Sequence, residues 1–161
     1  VTRRAKAFGM KVLGTDIIEI DHVFINETGI ELTTLDILLS KSDFISINCD
    51  LNPSSEHLIN AFTLAQMKEN AILINTARGP IVDEKALIQA LEAGKLGGAA
   101  MDVFEVEPLP QDSPLKKMDN VMLAPHNSNS SPAAWERVHW NTIKNLLDGL
   151  EIDSSALKNE K

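Results

Sequence analysis

Three short apolar runs most constrain what this chain can fold into. They are Ala71 to Asn75, Gly97 to Val103 and Val121 to Ala124. Each is too short for a free-standing helix and too uniformly apolar for a strand with one wet face. Such runs fit strands of a parallel sheet that is covered on both faces. Between the first two lies a helical stretch that Asp83 caps and that runs to Ala93, with Gly94 as its stop. Strands that alternate with helices predict a doubly wound α/β sheet. In such sheets ligands bind at the carboxyl ends of the strands. The residues just past these runs are therefore the first place to look for chemistry.

Polar groups stand there. Ile72 to Asn75 leads to Thr76, Ala77, Arg78 and Gly79. The run ending in Asp102 and Val103 leads to Glu105, Glu107 and Pro108. Val121 to Ala124 leads to Pro125 and His126. A guanidinium, a carboxylate and an imidazole brought together can bind an anionic substrate and move a proton.

Other elements are read from the same signals. Residues 1 to 8 predict a helix ending at Gly9, and Lys11 to Thr15 a strand ending at Asp16. The stretch from there to Glu31 is read as less regular. Thr34 caps a predicted helix through Ser40, and Phe44 to Cys49 is a predicted strand. Thr63 with Gln66 has capping-box spacing for a short helix to Lys68. Ser131 and Pro132 start a helix expected to run to Asp148. Beyond Glu151 the sequence is polar.

Composition narrows the partners. The 161 residues carry a formal net charge of −8, which disfavours nucleic acid and anionic membrane surfaces. Cys49 is the single cysteine, so no internal disulfide forms, and a cytoplasmic setting is expected. No apolar run approaches the roughly 20 residues of a membrane span.

The motifs Thr76-Ala77-Arg78-Gly79 with Val82-Asp83-Glu84, Gly97 through Phe104 with Glu107-Pro108, and Pro125-His126 resemble, in this order, the D-isomer-specific 2-hydroxyacid dehydrogenases, phosphoglycerate dehydrogenase among them. The resemblance covers roughly residues 1 to 150. It implies a Rossmann-type doubly wound parallel sheet that lacks its first strand and phosphate loop. Residues 1–126 would be a partial dinucleotide-binding domain. Residues 127–150 would be a crossover helix returning to a substrate domain, and 151–161 a polar tail.

The resemblance also implies roles. Arg78, Glu107 and His126 would be catalytic: Arg78 binds a 2-oxo acid, His126 gives or takes the proton, and Glu107 pairs with the imidazolium. NAD would be the cofactor, contacted by Asp16, Cys49, Thr76, Ala77, Arg78, Asp102, His126, Asn127, Ser128 and Asn129. Asp16 would bond the adenosine ribose and repel a 2′-phosphate; the other reading is an ordinary turn aspartate. Cys49 is read either as a cofactor neighbour or as a small buried filler. Asp102 and Glu107 could also be solvated loop acids, and Glu105 is passed over in favour of Glu107. His22, His57 and His139 are assigned no role.

Two departures from the family pattern stand out. Asn48-Cys49-Asp50 replaces a His, a variable residue and a Pro. Asn127-Ser128-Asn129-Ser130 replaces a less polar continuation. The expected activity is hydride transfer between NAD and a small D-2-hydroxy or 2-oxo acid, in a homodimer when intact, with the fragment alone inactive. The alternative is an NAD-responsive corepressor-like binding protein without significant turnover.

Overall fold

The computed structural model describes residues 1–127 and 130–152. It divides into two units, Val1–His126 and Asn127–Lys161. In the first unit every strand pairing is parallel. β1 (Leu13–Gly14) pairs with β2 (Glu31–Leu32) in a two-stranded sheet. β3 (Phe44–Ile47), β4 (Ile72–Asn75), β5 (Gly98–Met101) and β6 (Val121–Leu123) form a four-stranded sheet in that order.

The apolar runs behave as their composition requires. No side chain of β4 or β5 is exposed. Leu73, Ala99 and Met101 join Leu39 of α3 (Leu35–Lys41), Leu64 of α4 (Ala61–Leu64), and Leu87 and Leu91 of α5 (Glu84–Glu92) in one core. Burying each large aliphatic side chain there contributes roughly 1.5–3 kcal/mol. The small residues of β5 also have a packing reason. A Cβ at Gly98 would stand 2.6 Å from the Asn120 carbonyl oxygen, so a larger residue would push away the turn leading into β6.

The structure corrects several local expectations. The stretch after Asp16 contains a helix, α2 (His22–Thr28), whose N-cap Asp21 accepts from the Val23 N–H, followed by β2. β1 and β3 are shorter than expected. The helix near residue 63 starts earlier and ends at Leu64, not Lys68. Its capping box is Asn60 with Thr63: Asn60 accepts from the Phe62 and Thr63 N–H groups, and the Thr63 hydroxyl accepts from the Asn60 N–H. Thr63 is thus the box's third position, not its first. Asp83 caps α5 as expected, accepting from the Ala86 N–H. The segment after β5 adds a 3-10 turn, Pro114–Lys117.

α1 (Thr2–Ala7) is a single exposed helix, held to α2 by the two-pronged Arg3–Glu27 pair. The second unit is built on α6 (Pro132–Gly149), capped by Ser131, whose hydroxyl accepts from the Ala134 N–H. Trp135, Val138, Ile143 and Leu146 on it are exposed. No helix among the described residues is long and apolar enough to cross a membrane.

Candidate active site

β4, β5 and β6 are neighbours, so the loops that leave their carboxyl ends are neighbours too. These loops carry Arg78, Glu107 and His126. The buried Asn75 at the end of β4 shapes the first loop. Its side-chain amide donates to the Arg78 carbonyl (2.9 Å), and its carbonyl oxygen accepts from the Ala77 N–H (3.0 Å). The Asp102 N–H donates to the Asn75 main-chain carbonyl, joining the loop after β4 to that after β5. Thr76 and Arg78 are left exposed at the edge. Asn75 was read in the sequence only as the end of a strand. A polar residue closing an apolar run was the available signal.

Gly79 follows. A Cβ built there would run into the Phe104 carbonyl and lie 2.6 Å from the Glu105 nitrogen. The two loops therefore touch through main chain, and only glycine fits between them.

Glu107 lies in the second loop with both carboxylate oxygens engaged. Oε1 accepts from the Phe104 N–H at 3.0 Å, and Oε2 meets His126 Nδ1 at 2.8 Å. The hydrogen bond from His126 comes first, then that from Phe104, in holding the Glu107 carboxyl below the usual carboxylate range. Partial burial opposes this, and the charges of His126 and Arg78 add to it. Because an ionised carboxylate only accepts, Nδ1 carries the hydrogen of that contact. The imidazole's Nε2 is then the nitrogen left for a substrate. His126 holds a left-handed backbone, φ +53°. Its side chain is about half exposed, so a ligand can reach it.

The other proposed contacts spread along the same edge. A cavity of about 430 Å³ opens past the ends of β3 and β4, lined by Ile47, Cys49, Asp50, Thr76, Ala77 and Arg78. Burial pushes the Cys49 thiol up, and the charges of Asp16 and Asp50 act in the same direction against a main-chain hydrogen bond. Asp16 follows β1 by two residues. Its Oδ1 accepts from the Ile17 N–H (2.7 Å) and the Ile18 N–H (3.2 Å), which fixes the carboxylate's direction. Asp102 is buried directly after β5. Asn127 is exposed and belongs to the second unit. Ser128 and Asn129 lie outside the described residues. Among the described residues no cluster could hold a metal ion.

Sequence reasoning passed over a second imidazole–carboxylate pair. His57 Nε2 lies 2.6 Å from Glu105 Oε1. The partners are 48 residues apart, and no local motif joins them.

Residues 1–128 match the family model described as "D-isomer specific 2-hydroxyacid dehydrogenase, NAD binding domain". The chain belongs to this family. A glyoxylate reductase of Korarchaeum cryptofilum is 45% identical over 147 residues, covering 91% of this chain and 44% of that protein. A D-3-phosphoglycerate dehydrogenase of Methanocaldococcus jannaschii is 44% identical over 135 residues, covering 83% of this chain and 25% of the relative. The holo form of Rhodotorula graminis D-mandelate dehydrogenase superposes with a TM-score of 0.83 at 31% identity, over 91% of this chain and 42% of the other. The chain thus spans less than half the length of these relatives. As a member of an NAD-binding domain family it has the parallel sheet the fold requires. No Gly-x-Gly sequence, the usual pyrophosphate cradle, occurs among its residues.

Proposed function

We propose that this chain is the cofactor-binding part of an oxidoreductase that interconverts a small D-2-hydroxy acid and its 2-oxo acid. The observation that carries the reading is the 2.8 Å contact of His126 with Glu107, in loops that adjoin Arg78 at the carboxyl edge of the sheet. The bound nicotinamide supplies the hydride for reduction of the carbonyl carbon. Arg78 binds the substrate carboxylate through its planar fork. His126 delivers a proton from Nε2 to the carbonyl oxygen, and Glu107 steadies the imidazolium through Nδ1. Oxidation takes the same proton back to Nε2. Thr76, Ala77 and Asp102 would border the nicotinamide, while Asp16 and Cys49 would border the adenosine; Asn127, Ser128 and Asn129 would extend the contacts beyond His126.

Asp16 supports NAD over NADP, because a carboxylate repels a 2′-phosphate. In the full-length protein, turnover of a 2-oxo acid panel should be faster with NADH than with NADPH, and Asp16→Ala should narrow the gap. A preference for NADPH would refute this assignment. No turnover of any 2-oxo acid would refute the reaction itself. A homodimer in the intact protein belongs to the same reading; exposed Trp135, Val138 and Leu146 on α6 would favour self-association of this chain by itself. The charge of −8 supports a partner list without nucleic acid or membrane, and the lone cysteine supports a cytoplasmic setting. The relatives are named as reductases and dehydrogenases, so the corepressor alternative gains no support from them.

A further inference from the structure

The His57–Glu105 pair stands beside the proposed catalytic groups without being one of them. His57 belongs to neither loop, yet it grips both. Its main-chain N–H donates to the Pro80 carbonyl at 2.9 Å, next to Gly79 in the Arg78 loop. Its ring meets Glu105 in the Glu107 loop at 2.6 Å. Between these two grips, Gly79 lies against the Phe104–Glu105 peptide at a distance that admits no side chain. A ring of contacts is thereby closed from His57 through Pro80, Gly79 and Glu105 back to His57.

The ring is held on its outer side as well. The Glu105 N–H donates to Glu84 Oε2 of α5 at 3.3 Å. The His57 carbonyl accepts from the Asn60 side-chain amide at 2.9 Å, which ties His57 to the cap of α4. His57 itself is held at φ +48°, a left-handed backbone that a residue with a side chain adopts at a cost. Surroundings that impose such a conformation fix where the ring points.

What the ring controls follows from the next bond. The Phe104 N–H, one residue before Glu105, donates to Glu107 Oε1, and Glu107 Oε2 meets His126. A displacement of residues 104 and 105 therefore moves the carboxylate that orients the imidazole. The same displacement loosens the main chain beside Arg78.

We propose that His57 and Glu105 are positioning residues, a clamp that locks the Arg78 loop and the Glu107 loop in one relative placement so that guanidinium and imidazole address a single substrate. This rests on the oxidoreductase reading for its consequence, but the clamp has a readout of its own, the titration of Glu107.

The test uses the full-length protein. His57→Asn tolerates the left-handed backbone but cannot span to Glu105, so it removes the ring contact and spares the turn. Turnover of the best 2-oxo acid should fall about ten- to a hundredfold, as for a misplacement near 1 Å. NADH affinity should fall less than turnover does, because Asp16 and Cys49 at the adenosine end lie outside both clamped loops. Carbon-13 NMR should show the Glu107 carboxyl titrating closer to the usual carboxylate range. His57→Gln, whose amide can reach Glu105, should recover most of both effects. Glu105→Ala added to His57→Asn should cost little more than His57→Asn alone.

Unchanged turnover and an unchanged Glu107 titration in His57→Asn would overturn the clamp, whatever happens to thermal stability. Should the parent protein reduce no 2-oxo acid, the functional reading fails. The Glu107 titration then decides the clamp by itself: a shift supports it and no shift overturns it.

Discussion

The structure holds two histidine–glutamate pairs within one short stretch of loop, and they differ in what they face. His126–Glu107 joins the loops that leave β5 and β6, and its imidazole meets the carboxylate through Nδ1. His57–Glu105 ties the same loop to the segment before α4, and its Nε2 is spent on the carboxylate. The first pair uses Nδ1 for support and keeps the other nitrogen for chemistry. The second uses Nε2 for support, and its main chain holds the neighbouring loop. In the proposed reading the same two residue types serve proton transfer in one place and alignment a few residues away. Which nitrogen meets the carboxylate separates the two.

That contrast can be broken most sharply at His126. In the full-length protein His126→Ala should lower turnover by about 10²–10⁴, the usual worth of a positioned acid or base, while cofactor affinity holds. Steady-state kinetics with a binding titration checks it. A comparable loss in His57→Ala would mean that the two pairs are not different in kind.

Next in size is Gly79→Ala, which strikes both pairs at once. The new methyl group must displace the Phe104 carbonyl, since main chain rather than a flexible side chain blocks it. A destabilisation of roughly 1–3 kcal/mol, the usual cost of overpacking, is expected in denaturant melts. Turnover should fall as well. A well-folded, fully active Gly79→Ala would show that the two loops are not nested as described.

A smaller effect concerns Glu107 and pH. Its folded carboxyl is held below its unfolded value of about 4.5, so its contribution is fully present above that pH. It is lost as pH falls through the depressed folded value. In His126→Ala the leading cause is gone, and the carboxyl should titrate higher. An NMR titration of Glu107 in both proteins decides this, and an unchanged midpoint would contradict the pairing.

The smallest effect is expected at Glu84, which supports the second pair from α5. Burial raises its carboxyl above the usual 4.5, against the hydrogen bond from the Glu105 N–H, and the charge of Glu105 adds to the rise. The sign is opposite to that of Glu107. As pH rises above about 4.5 the unfolded chain ionises more readily, so the folded state loses stability. Glu84→Gln keeps an acceptor for the Glu105 N–H without the charge. It should melt slightly higher at neutral pH, with the gain shrinking toward acid. A lower melting temperature at neutral pH would run against this balance.

The sequence exposed the first pair and hid the second for a physical reason. Glu107 and His126 follow apolar runs whose burial on both faces forces strand assignments, so their place at the sheet edge could be inferred. His57 and Glu105 meet only because the segment before α4 folds back along Pro80 and Ile81. No periodicity records that return. α2 escaped notice because Asp21 is followed by β-branched and aromatic residues with modest helix propensity, and tertiary contacts decide such cases. β2 has two exposed residues and so left no hydrophobic signal. At α4 both Asn60 and Thr63 are cap formers. The rule favouring Gln at the third position pointed to Thr63 with Gln66, whereas the actual reciprocal bond uses Asn60 with Thr63.

The left-handed backbone at His126 has an evolutionary consequence. A side-chain-bearing residue held at φ +53° costs roughly 1–3 kcal/mol, and glycine, or more modestly asparagine, would relieve it. Any lineage that ceased to need the imidazole would gain stability by replacing it there. A histidine at this position is therefore maintained against a standing downhill substitution. Its identity in a descendant chain would serve as a record of whether the chemistry was still under selection.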